Sequence, residues 1–260
     1  MGLTDQDENV RVAWVKRTDF TPTHEQIERG LTDGAVAVRL EWMRREDFIP
    51  TNDQIVRGLM DEDYRVRAAC AGRTDWTPTT EQVERGLADS RWLVRVAWVT
   101  RNGWIPNTDQ VERCLASRNG DVRWCMSIRS DYTASAEQVK RGLTDAEPII
   151  REAWVKRTDF TPTPEQVEDG LEDSSWYVRE AWAKRTDWTP TAKQVENGLM
   201  DSACSVREAW ARRTDYKPNS AQISRGLEDA EESVRTIWRN RFKAGEDDSQ
   251  DSEEQRSPVI

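Results

Sequence analysis

The chain of 260 residues has one histidine, four cysteines, four phenylalanines and four tyrosines. Each scarcity excludes something. His24, placed in the first turn of a short predicted helix, leaves no histidine-centred relay, and no Ser or Cys has a base beside it in the sequence. The four cysteines form no C-x-x-C pair, which fits a reducing, cytoplasmic compartment. No apolar run is long enough to cross a bilayer, and nothing reads as a signal peptide. Asp5-x-Asp7-x-Asn9 opens like a calcium loop, but no Gly follows and Lys16 stands where the closing Glu belongs. Neither catalytic residues, nor a metal, nor a cofactor is therefore expected, and the chain reads as a non-enzyme.

What is abundant is charge, and it is distributed. The formal net charge is −10, and the stretch from Gly245 onward carries six acids and one Arg. The rest is only mildly acidic, so bulk charge gives no support for nucleic-acid binding. That C-terminal stretch is short of large apolar residues, and the expectation is a disordered acidic tail over 244–260 following a repeat domain over 1–243.

Thirteen Trp and a fixed period supply the core. Gly-Leu recurs at Gly2, Gly30, Gly58, Gly86, Gly142, Gly170, Gly198 and Gly226, with Cys114-Leu115 filling the gap, always 28 residues apart. Such a period marks a solenoid or array. Ankyrin, tetratricopeptide and HEAT periods are longer, and the L-x-x-L-x-L strand of leucine-rich repeats is missing.

Within one repeat, Val10, Ala13, Trp14 and Arg17 follow i, i+3, i+4, i+7, one face of a helix A over about 6–17, with Asp5 as a plausible N-cap. A TDFTP turn follows. Thr23 and Gln26 then form a capping box that opens a short helix B over about 24–31, with Ile27 and Leu31 inward. Gly30 inside that helix costs about 1 kcal/mol against Ala, so it marks close packing against a neighbour.

The string VRxAWxxRTDxTPTxEQ resembles the leucine-rich repeat variant family, akin to HEAT-type arrays. The resemblance covers nearly the whole repeat region. It implies an all-α, right-handed α-solenoid: about eight two-helix repeats of 28 residues and a terminal capping helix. The chain departs from the family in a longer period, in Trp at the core position, and in having no Cys cluster before the repeats, so an iron–sulfur module is not implied.

Positions shared by all repeats hold the fold. Arg recurs at the places of Arg11 and Arg17, accompanied by Asp at the place of Asp19 in most repeats. Structural Arg–Asp and Arg–carbonyl ladders are the expectation. The alternative is a nucleic-acid or anion ladder on a concave face, carried by Arg67, Arg95, Arg123 and Arg151.

Positions that differ are where function can sit. The places of Val12 and Lys16 read Glu152–Lys156, Glu180–Lys184 and Glu208–Arg212 in later repeats, a solvated face. In repeats three to five they read Ala68/Gly72, Val96/Thr100 and Trp124/Ile128, with Tyr64 and Trp92 one turn earlier. The region 92–134 also loses consensus: Gly103 replaces Asp, Cys114 replaces Gly, Met126 replaces Trp, Ala134 replaces Pro, and Ser117-Arg118-Asn119-Gly120-Asp121 forms an unusual connector. An apolar face rimmed by charge points to a protein partner or a second copy of the chain, bound through Tyr64, Trp92, Val96, Thr100, Arg118, Trp124 and Ile128. A further alternative is an acidic mimic of nucleic acid that blocks a nucleic-acid-binding protein. It would use rows such as Glu81, Glu84, Glu137, Glu165 and Glu168, although Arg29-type residues interleave.

Overall fold

The structure, a computed structural model, describes residues 2–241. A single 3₁₀ turn, Gly2–Thr4, precedes a strict alternation of short helices. In chain order these are α1 (Glu8–Val15), α2 (His24–Leu31), α3 (Val36–Arg44), α4 (Asn52–Leu59), α5 (Tyr64–Gly72), α6 (Thr80–Leu87), α7 (Trp92–Thr100), α8 (Thr108–Leu115) and α9 (Gly120–Ser127). They continue as α10 (Ala136–Leu143), α11 (Pro148–Val155), α12 (Pro164–Leu171), α13 (Trp176–Lys184), α14 (Ala192–Leu199), α15 (Cys204–Arg212) and α16 (Ser220–Leu227). A last helix runs from 232 to the end of the described residues. Odd-numbered helices are the A helices and even-numbered ones the B helices. No strand forms among the described residues, and the expected all-α repeat architecture is what is observed. The expected tail lies outside the described residues. Those residues fall into two compact units, one ending at Thr133 and one beginning at Ala134, inside repeat five.

The B helices start where the sequence places them. Thr23 Oγ1 accepts from the Gln26 amide while Gln26 Oε1 accepts from the Thr23 amide at 2.8 Å, and the same box opens every B helix from α2 to α16. The A helices are shorter than expected. The α1 cap is Asp7, not Asp5, whose carboxylate instead accepts from the Asp7 amide in a turn.

The core is an indole laid on a glycine. A Cβ at Gly30 would overlap the Trp42 ring, and the same clash faces Gly86 against Trp98 and Gly198 against Trp210. Trp42, Trp98, Trp154, Trp182, Trp210 and Trp238 are each 1 % exposed. This contact joins helix B of one repeat to helix A of the next and explains Gly at a place where helix propensity disfavours it. Where Cys114 takes the Gly place, Met126 takes the Trp place, and both are buried. Trp14 is the exception to the expected core role. It lies on Gly2 and stays 36 % exposed.

A second device stitches each repeat to the one before. Arg185 donates from Nη1 to the Val155 and Arg157 carbonyls, both at 2.7 Å, and from Nη2 to the Phe160 carbonyl at 3.1 Å. Its guanidinium lies 4.5 Å from the centre of the Phe160 ring, and Asp187 takes the remaining donors. Arg73 and Arg213 repeat the arrangement, so the carbonyls left open at the end of each A helix find donors. The aromatic place of Phe20 is thus the platform for the next repeat's Arg.

A third device is a bidentate rung at the other end of helix A. Arg11 donates to both Asp33 oxygens at 2.8 Å, and Arg179 to Asp201 at 2.6 and 2.8 Å. Burial pushes the carboxyls of Asp33, Asp89 and Asp201 up, but the Arg bonds, a backbone amide and the neighbouring guanidinium charges outweigh it and hold them below the ordinary range. For Asp47, Asp187 and Asp229 the Arg hydrogen bond is itself the main cause of the lowering.

Two outcomes follow from this packing. Gly86→Ala should cost about 1–3 kcal/mol in chemical denaturation, because the indole cannot retreat. Gly34→Ala, which meets open space, should change stability by no more than about 0.5 kcal/mol; equal effects would refute the indole-on-glycine account. The lowered carboxyls favour the ionised, folded form above the ordinary carboxylate pKa of about 4, and this stabilisation disappears as pH falls through the folded values. Thermal melts should therefore hold steady from about pH 7 to 5 and drop steeply below about pH 4; a midpoint that is unchanged at pH 3 would contradict the rungs.

Candidate functional site

In each unit the A helices pack closely on one another, whereas successive B helices touch little. The A helices therefore form the tighter row of each unit. Clefts open between splayed B helices at a recurring register, about 560 Å³ beside Gly198 and Trp210 and about 480 Å³ beside Gly30 and Trp42. Their recurrence makes them a consequence of the repeat.

The A row of the first unit carries something different. A groove of about 770 Å³ lies across α3, α5 and α7, floored by Ala68, Ala69, Gly72, Val96 and Ala97 and rimmed by Arg44, Glu46, Arg65 and Asp75. Small residues create it. In the second unit the corresponding places hold the ion pairs Glu152–Lys156 at 2.7 Å, Glu180–Lys184 at 2.6 Å and Glu208–Arg212 at 3.0 Å.

The residues expected at a partner surface divide by environment. Val96 lines the groove but is half-buried rather than exposed. Thr100 is exposed, with its hydroxyl donating to the Val96 carbonyl at 2.9 Å. Trp92, Trp124 and Ile128 are exposed by 43 %, 36 % and 51 %. Tyr64 is half-buried under the Arg91 guanidinium, 4.7 Å from its ring centre, and Arg118 is exposed. All seven belong to the first unit. Leu93, Ala69 and Ala97 also face the groove and escaped the sequence reading, which followed two places per helix rather than the whole face. Trp176, 49 % exposed in the second unit and edge-on to Tyr177, was missed as well, although it shares the place of Tyr64 and Trp92.

The proposed Arg ladder is mostly occupied. Arg67 donates to both Asp89 oxygens at 2.8 and 3.0 Å, and Arg151 to those of Asp173 at 2.7 Å. Arg123 donates to the Ser117 carbonyl at 2.9 Å. Arg95 has no such carboxylate among the described residues. Of the acidic rows, Glu84 accepts from Gln110 and Arg113, both at 2.7 Å, and Glu81 from Arg85 at 3.3 Å, whereas Glu137, Glu165 and Glu168 are exposed; Glu196, in the place of Glu84, accepts from Gln222 at 3.0 Å and Arg225 at 2.6 Å. Hydrogen bonds from those partners lower the Glu84 and Glu196 carboxyls.

Among known proteins, the pattern described as HEAT repeat associated with sister chromatid cohesion matches residues 136–156, which span α10 and the start of α11 through its end. No curated protein matches the sequence. Among solved structures, the chain is similar to a leucine-rich repeat variant with a novel repetitive structural motif. The identity is 23 % over 81 % of this chain and 78 % of that one, with a TM-score of 0.57. The fold is that of a leucine-rich repeat variant, with HEAT-like helical pairs.

Thiol chemistry offers no second site. Burial pushes the Cys70 thiol up to about 12 and that of Cys114 to about 11, and Cys125 is raised by the same cause. In the native protein only exposed Cys204 should react with an aromatic disulfide reagent near pH 8, with all four thiols reacting after denaturation; rapid native labelling of Cys70 would show that the core opens.

Proposed function

We propose that this protein is a non-catalytic repeat scaffold or inhibitor that binds another protein through the A-row face of repeats three to five. The observation that carries the reading is the groove across α3, α5 and α7. Ala and Gly stand there where later repeats cover the same face with Glu–Lys pairs, and the exposed rings of Trp92 and Trp124 continue it. Aromatic anchors beside a shallow apolar floor with an Arg and acid rim are the composition of a protein-recognition surface. The occupied state of Arg67 and Arg151 argues against tracking of a phosphate backbone.

The test compares wild type with Val96→Glu/Trp124→Glu and with a Glu180→Lys/Lys184→Glu swap on the second unit, after circular dichroism shows all three folded. Each is used for affinity capture from source-cell lysate, and each is titrated with labelled single-stranded RNA and duplex DNA. A protein captured by wild type and the swap, but at least about tenfold less by the double Glu variant, supports the reading. Capture that is indifferent to Val96 and Trp124, or tight nucleic-acid binding by all three, overturns it.

A further inference from the structure

In the repeats where the rung is complete, one guanidinium meets one carboxylate in a fixed geometry. Nη1 donates to one or two carbonyls of the turn before its helix, which aims the fork, while Nε and Nη2 take the two oxygens of an Asp 22 residues on. Arg95 keeps the first half of this pattern. Its Nη1 donates to the Asp89 carbonyl at 2.7 Å and the Ser90 carbonyl at 3.2 Å, as in the other rungs. The second half is missing, because the residue 22 places on is Ser117. Nε and Nη2 of Arg95 have no acceptor among the described residues, and the nearby Asp89 carboxylate is already bound to Arg67. Ser117 Oγ retains only the turn contact, accepting from the Asn119 amide at 3.3 Å. Its hydroxyl proton is left to donate. Arg118, exposed, follows directly.

The same repeat has lost its other structural carboxylate. Gly103 stands where Asp75 serves Arg73, at a φ of 93° that a side chain would strain. Arg101 is 3 % exposed and its Nε is buried without a partner. Repeat four thus keeps both guanidiniums but lacks the two acids that bond directly to their counterparts Arg67 and Arg73.

We propose that the fork of Arg95, with Ser117 and Arg118, is a binding site for one carboxylate, supplied by an Asp or Glu side chain of the protein partner. The carboxylate takes the position that Asp89 takes on Arg67, accepting from Nε and Nη2, while the Ser117 hydroxyl donates to one oxygen. A fork already aimed by two carbonyls loses little freedom on binding, which favours a planar two-oxygen acceptor. The identity of the donor rests on the protein-binding reading above; the site itself does not.

The test reads the Arg95 Nε–Hε resonance, assigned by its loss in Arg95→Lys, while the full chain is titrated with a capped tetra-aspartate peptide at constant ionic strength. Acetate and inorganic phosphate are run as separate arms. A saturable shift of Arg95 with peptide and acetate, with Arg67 unmoved, is expected. Ser117→Asp, which restores the consensus rung and should raise the melting temperature, should weaken the peptide response at least about tenfold. An unmoved Arg95, a response surviving intact in Ser117→Asp, or a response to phosphate alone would each overturn the proposal. No partner protein is present in this titration, so it succeeds or fails independently of capture.

Discussion

The guanidinium that reaches back from one repeat to the one before is the interaction on which the rest of the architecture depends. Eight- and nine-residue helices leave nearly half of their carbonyls without an internal donor, and water cannot satisfy those that face the next repeat. Arg185 and Arg213 fill that deficit with a guanidinium that sits over an aromatic ring and is held by the Asp two residues on. Lys could not do this, having no planar fork to reach two carbonyls and a carboxylate together. The indole-on-glycine contact then sets how closely helix B of one repeat meets helix A of the next.

Because these devices consume charge in pairs, the many charged residues leave few open valences on the A–B turns. The Asp rungs and the Glu–Gln–Arg links of the B row neutralise one another locally, which is why an Arg-rich chain need not bind polyanions. The same bookkeeping makes repeat four conspicuous: two guanidiniums remain while Ser117 and Gly103 have replaced their acids. Gly103 sits at a φ of 93° that a side chain would strain, so the missing acid that the backbone does not explain is the one at Ser117.

The two rows of helices have different uses. The B row is splayed and opens similar clefts repeatedly, while the A row is tight and can present a groove only where its side chains shrink. Ala68, Ala69 and Gly72 supply that shrinkage next to exposed Trp92 and Trp124. The groove therefore arises from a local departure in sequence laid on a uniform backbone.

Much was legible from sequence alone, since each repeat tests the others. The 28-residue period, the Thr23–Gln26 box, inward Ile27 and Leu31, and the close contact at Gly30 are local or periodic features, and pattern determines them. Other features needed three dimensions. That Asp7 rather than Asp5 caps α1, that Phe20-type rings carry the next repeat's Arg, and that Val96 is half-buried all depend on how neighbouring repeats lie against each other. The sequence shows Arg95 as one member of a uniform row. Only the tertiary structure, by closing Arg67 on Asp89 and leaving Arg95 with its two carbonyl bonds, distinguishes the two, because a rung is closed by a residue from the next repeat and no local pattern contains both ends.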